Sequence, residues 1–163
     1  MAHGEFVICH VEITRMSAQE LSARLWQSSA RIAKVVDALP DTRVGRHVAG
    51  QIVRGGIAAA PNYDEARSRE SRADFVPKVN VALKELVETR GWLKFVILTA
   101  LLPAKRTAVL VDECDQLCRI LGKSIATAKA AKRAGLREES NQPVSITNSK
   151  FSMTNSQSSR PKT

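Results

Sequence analysis

The chain holds 163 residues (17.8 kDa), with 25 Lys and Arg against 16 Asp and Glu, a net charge of +9 and a pI near 9.9; that length suits one domain of ordinary size, with or without tails. Hydrophobic residues at 44% suffice for a core, while only 8 Gly and 6 Pro argue against an all-β fold built on tight turns. Three cysteines exclude a disulfide-scaffold secreted domain and suit a reducing, cytoplasmic compartment, and the longest apolar run, Phe95 to Leu102, falls far short of the ~20 residues that span a bilayer.

Residues 1–16 read as an amino-terminal arm. Phe6-Val7-Ile8-Cys9, Val11 and Ile13 form a short β-prone run in which Arg15 is the only basic residue. Without a basic n-region or a long apolar h-region, it does not read as a secretory signal. It is either a poorly ordered arm or short strand, as termini often are, or extra sequence upstream of a start at Met16; the arm is the reading favoured. Residues 17–135 then read as a helical domain.

The first helix is marked by Leu21, Leu25, Ser28, Ile32, Val35 and Leu39, at alternating spacings of four and three, with Ser17 or Ser22 as its cap and Pro40 as its stop. A connection over 40–43 leads to a second helix from about Val44 to Arg67, with Val48, Ile52, Gly55 and Ala59 in its seam. Gly55, Gly56, Ala58, Ala59 and Ala60 crowd its middle. Glycines cost about 1 kcal/mol each inside a helix, so they imply close approach of a neighbour. Pro61 is expected to kink or interrupt this helix.

The third helix starts near Ser71, where Ser71-Arg72-Ala73-Asp74 resembles a capping box. Its seam is Phe75, Val79, Ala82, Leu86, Thr89, Leu93, Val96 and Ala100, and it stops before Pro103. Pro77 either belongs to its first turn or bends it. The fourth helix runs from about Arg106 to Ala134 on Leu110, Cys114, Leu117, Leu121, Ile125 and Ala128, with Gly135 as its stop. Residues 136–163, rich in Ser, Asn, Thr and Gln, read as a disordered polar tail.

Four helices on short connections predict an all-α, antiparallel up-and-down four-helix bundle. The third helix carries a second apolar stripe of Val76, Leu83 and Val87, extended by Trp92 and Phe95. A helix apolar on two sides must bury both, so Val76, Leu83, Val87 and Trp92 are the expected interface of a homo-oligomer.

Arg54, Ala58, Asn62 and Glu65 share one face of the second helix, and Lys78, Glu85, Glu88 and Trp92 recur on a related face of the third. A turn near Glu70 places Arg54 opposite Glu85 in a salt bridge and Asn62 near Lys78. As chemistry, Asn62, Glu65, Glu85 and Glu88 could be an acid/base or metal site. With no nucleophile beside them, the favoured reading is a structural network of Arg54, Asn62, Glu65 and Glu85 that sets helix register.

Gln51-Ile52-Val53-Arg54, Ile57-Ala58-Ala59-Ala60-Pro61-Asn62-Tyr63-Asp64-Glu65-Ala66, Ser71-Arg72-Ala73-Asp74-Phe75, Ala82-Leu83-Lys84-Glu85-Leu86, Glu88-Thr89 and Trp92-Leu93 together resemble the four-helix bundle family encoded in intervening sequences of bacterial large-subunit rRNA. The resemblance spans roughly Leu21 to Ala130. It implies a left-handed bundle assembling as a ring-shaped homopentamer, with no established enzyme activity. Some relatives resemble accessory proteins of diversity-generating retroelements, basic pentameric barrels that engage nucleic acid and a reverse transcriptase. The family's recurrent Arg, Asn, Glu and Glu fall on Arg54, Asn62, Glu65 and Glu85.

The charge points the same way. Between Met16 and Gly135 stand 20 basic and 12 acidic residues, a net +8. Polyanion binding follows from charge through counterion release, without base readout. The candidate phosphate contacts are Arg24, Arg31 and Lys34; Arg43, Arg46 and His47; Arg67, Arg69 and Arg72; and Lys123, Lys129, Lys132 and Arg133. Aromatics at 4% make sequence-specific stacking an unfavoured mode. The alternative is a scaffold whose basic surface meets an acidic protein, such as a polymerase or a ribosome-associated component. An enzyme is not expected, nor any cofactor. Cys114 and Cys118 sit one turn apart and lack two further metal ligands nearby, since His3, Cys9 and His10 lie in the arm.

Overall fold

The computed structural model describes residues 16–68 and 72–140, the side chains of 72, 73 and 135–140 excepted. The expectations for the arm, for Arg69, for the Arg72 side chain and for residues 141–163 fall outside that description. The described residues form four helices, α1 (Ala18–Val36), α2 (Arg43–Ser68), α3 (Arg72–Leu98) and α4 (Ala104–Ser140), and no strand among them.

Local chemistry sets most helix ends. Ser17, not Ser22, caps α1 in a reciprocal capping box: the Glu20 amide donates to Ser17 Oγ at 3.2 Å and the Ser17 amide to Glu20 Oε2 at 2.7 Å. Leu39, expected in the helix, lies beyond its end but still packs on the core. α2 and α3 pass through Pro61 and Pro77 without interruption. Both prolines lie on exposed faces, where water can reach the carbonyls left without a donor. α4 continues past Gly135 to Ser140. One glycine costs about 1 kcal/mol in a helix, too little to stop one flanked by the helix formers Leu136, Arg137, Glu138 and Glu139.

α3 ends in a Schellman turn. The Leu101 amide donates to Val96 O and the Ala100 amide to Ile97 O, each at 3.1 Å, and Ala100 has φ 52°. Ala100 is therefore an exposed left-handed turn residue and not part of the seam. An L side chain pays roughly 1–2 kcal/mol for this conformation. Ala100→Gly is expected to raise stability by about 0.5–1 kcal/mol, after the extra chain entropy of glycine is subtracted. Thermal melts followed by circular dichroism should show the midpoint rise by a few degrees.

The helices pack in sequence order, α1 on α2, α2 on α3 and α3 on α4, and α1 closes on α4 by a less extensive contact than these. His47, Arg54 and Glu65 along α2 meet Trp92, Glu88 and Lys78 along α3, so the contacts run in opposite order along the two helices. The core is the expected seam: Leu25, Ile32, Ile52, Leu86, Leu93, Leu117 and Leu121 are almost wholly buried. Of the expected interface residues, Val76, Leu83 and Trp92 are half-buried against this core and only Val87 is exposed. Exposed Val81, Phe95 and Leu98 join Val87 on the outer side of α3, Leu98 at 84% exposure.

Candidate nucleic-acid interface

The polar seam between α2 and α3 differs in register from expectation. Lys78 Nζ meets Glu65 Oε2 at 2.7 Å, and Arg54 reaches Glu88 at 3.9 Å while also bonding Gln51. The two pairs agree on one register of α2 against α3, with mean positions of 71 and 71.5. The expected Arg54–Glu85 bridge has a mean position of 69.5, and Arg54 meets the carboxylate one turn further on. The Asn62 amide donates to Ala58 O at 2.8 Å on its own helix and not toward Lys78. Arg54, Asn62, Glu65 and Glu85 thus form no single network. Glu85 instead borders Gly55: its carbonyl accepts from Thr89 Oγ1 at 2.8 Å, and a Cβ on Gly55 would lie 2.8 Å from that hydroxyl.

The bonds that tie α1 to the rest join residues whose pairing the sequence pattern did not indicate. Asp64 on α2 accepts from Ser22 Oγ, from Trp26 Nε1 at 2.7 Å and from Arg67 at 3.3 Å. Desolvation opposes ionisation of Asp64, but these three hydrogen bonds and the Arg67 charge outweigh it and hold the carboxyl below its usual range. A depressed folded pKa contributes stability that is full above the unfolded value of about 4 and is lost as pH falls through the lower folded value. Asp64→Asn is expected to cost about 1–2 kcal/mol at pH 7. It should also flatten the acid limb of melting temperature against pH below about pH 4, where the wild type loses this contribution.

Several candidate phosphate contacts are committed elsewhere. Arg24 forks onto Glu113 at 2.8 and 3.0 Å and also bonds Gln116, a half-buried clasp between α1 and α4. Arg67 is held by Asp64 and Gln19, and Arg46 pairs with Asp41 at 2.6 Å on the surface. An exposed pair such as Arg46–Asp41 is worth little and opens readily. Arg31, Lys34, Arg43, Lys123, Lys129, Lys132 and Arg133 are exposed or half-exposed and have no carboxylate within ion-pair distance among the described residues.

The sequence reading passed over Lys105 and Arg106, also exposed, in the first turn of α4. Their signal was the adjacent basic pair just beyond Pro103-Ala104, at the start of the last helix. The rings of His47 and Trp92 meet edge-on at 5.7 Å, which brings the start of α2 beside the last turns of α3. α4 begins after the short connection 99–103. The amino ends of α2 and α4 therefore lie at one end of the bundle. Neither first turn contains an acidic residue, and together they carry Arg43, Arg46, Lys105 and Arg106.

Among the described residues no group of three or more His, Cys, Asp or Glu could hold a metal ion. Burial pushes the Cys114 thiol up to about 12 and raises that of Cys118, so neither is a ready nucleophile. No described helix is long and apolar enough to cross a membrane.

Comparison with known proteins supplies a family. The model described as 23S rRNA-intervening sequence protein matches residues 19–123. A crystal structure of a protein of unknown function from the S23 ribosomal protein family of Bacteroides thetaiotaomicron superposes with a TM-score of 0.60 at 28% identity, covering 64% of this chain and 97% of that one. No curated protein matches the sequence significantly.

Proposed function

The chain belongs to the 23S rRNA-intervening sequence protein family, and on that footing we propose that it is a non-enzymatic basic helical bundle that binds nucleic acid, RNA foremost, through phosphate contacts. The observation that carries this reading is the doubly positive end of the bundle. Helix amino termini offer free N–H groups and a positive dipole end, where cations are disfavoured by about 0.3–1 kcal/mol. Two such termini here are loaded with Arg43, Arg46, Lys105 and Arg106, with Lys34 in the last turn of α1 nearby. That arrangement sacrifices stability and makes a site for polyanions. An RNA ligand suits both settings raised by the resemblance, a reverse-transcriptase accessory in a diversity-generating retroelement and a ribosome-associated protein.

In the same reading the helices run up and down with antiparallel neighbours in a left-handed bundle, and copies close into a cytoplasmic pentameric ring. The exposed outer side of α3, with Val87, Phe95 and Leu98, supports self-association. The same apolar side also favours the alternative of a scaffold that docks a protein partner. Co-purification separates the two, through nuclease-sensitive nucleic acid or a stoichiometric protein. Mass measurement in solution tests the ring.

Binding of single-stranded RNA across a salt series is the direct test. Four to six phosphate contacts give log affinity against log salt a slope of about −3 to −4. A flat dependence, or no binding at low salt, rejects the reading.

A further inference from the structure

α4 turns a continuous stripe of side chains away from the core. It runs from Lys105 through Val109, Asp112, Gln116 and Arg119 to Lys123, at alternating spacings of four and three, and all but the half-buried Gln116 are exposed. That period keeps residues on one side of a helix. Lys105, Arg119 and Lys123 have no carboxylate within ion-pair distance among the described residues. The one carboxylate on the stripe, Asp112, accepts from Gln116 Nε2 at 2.7 Å, a neutral donor that leaves its charge in place. Glu113 and Asp115 are occupied by neighbouring helices, Glu113 by Arg24 of α1 and Asp115 by Arg90 of α3. Lys105 stands in the first turn of α4, so the stripe starts at the doubly positive end of the bundle. From there to Lys123 it rises about 27 Å. The seam between α2 and α3 offers no comparable path, since Lys78 is held by Glu65 and Arg54 by Glu88.

Resting on the RNA-binding reading, we propose that a single strand held at the doubly positive end continues along this stripe, with Arg119 and Lys123 as two further phosphate contacts. A strand longer than the end cluster must leave it over one face of the bundle, and its remaining charges follow the face where cations are free of carboxylates. Lys105 belongs to both surfaces and so joins them. Each added contact releases counterions without reading a base, so affinity rises with strand length until the stripe is filled. Four contacts at the end and two on the stripe make a footprint within the ~4–16 nucleotides of single-strand binding folds. Asp112 lies between Lys105 and Arg119 on the stripe, so its charge opposes the middle of a long strand and does not touch a short one held at the end.

The experiment uses the full chain and labelled oligouridylates of about four and about twelve nucleotides, one shorter than the footprint and one long enough to fill it. Arg119→Gln/Lys123→Gln should lower affinity for the longer strand about tenfold near 0.1 M salt and cut the magnitude of its salt slope by about 1.4. Affinity for the shorter strand should not change. Asp112→Asn should act in the opposite direction, raising affinity for the longer strand about threefold and leaving the shorter one alone. All three side chains are exposed or surface-bonded, so thermal melts of both variants should match the wild type. A wild type that binds neither strand overturns the RNA-binding reading itself. A wild type that binds both strands equally tightly overturns the path alone. So does a double variant that keeps wild-type affinity for the longer strand or loses both strands equally, and so does an Asp112→Asn variant with no gain.

Discussion

Gly56→Leu is expected to destabilise the bundle by about 3 kcal/mol or more, read as a fall in the denaturant midpoint. The reason lies in how closely α1 crosses α2. Ser29 Oγ donates to the Gly56 carbonyl at 2.7 Å in the buried interface, and a Cβ on Gly56 would stand 2.5 Å from Ile32 Cγ2. Overpacking a tight core costs about 1–3 kcal/mol for added methylenes, and more where the backbone must move. Replacing glycine in a helix returns about 1 kcal/mol of propensity. The alanine variant therefore sits near balance, and the leucine variant is decided by the clash. Leucine must push α1 away, which also breaks the Ser29 bond and leaves a buried carbonyl with one partner fewer. Adding Ile32→Ala should recover part of the loss, because it vacates the colliding atoms. A double-mutant cycle with no coupling would show that the close crossing is not what demands glycine.

The neighbouring glycine faces the other way. A Cβ on Gly55 would meet Thr89 Oγ1 and the Glu85 carbonyl on α3. Two adjacent glycines thus let α2 approach α1 on one side and α3 on the other. This close packing was legible from composition alone, since five small residues within six positions need a packing cause. The core was legible for a similar reason. Leu25, Ile32, Val48, Ile52, Leu86, Leu93, Leu117 and Leu121 recur at helical spacing, and burial acts on that period directly.

The polar contacts were less legible, because charge partners are chosen by tertiary register and not by local spacing. Glu113 lies 89 residues from Arg24, and nothing in either neighbourhood marks the pair. The Arg54–Glu85 expectation failed through a small error in the register of α2 against α3, enough to move the partner by one helical turn to Glu88. Ala100 misled for a different reason. Its spacing continued the seam, but the helix had already ended in a left-handed turn, which period counting does not detect.

The register also separates cations that hold the fold from cations that face a ligand, and this distinction yields the second large effect. Arg43→Gln/Arg46→Gln/Lys105→Gln/Arg106→Gln is expected to lower RNA affinity by about 10²–10³-fold near 0.1 M salt. Each lost phosphate contact removes about 0.7 from the magnitude of the salt slope for a single strand, so four remove nearly 3. The fold should survive, or gain a little, because cations leave the positive ends of two helices. Arg24→Gln should show the opposite pattern. It breaks a half-buried clasp between α1 and α4, so the midpoint of unfolding falls while the salt slope of the folded protein stays the same. If the quadruple variant keeps wild-type affinity and slope, the positive end of the bundle is not the phosphate site. If Arg24→Gln alone reduces the slope, the clasp opens on binding and Arg24 belongs among the contacts.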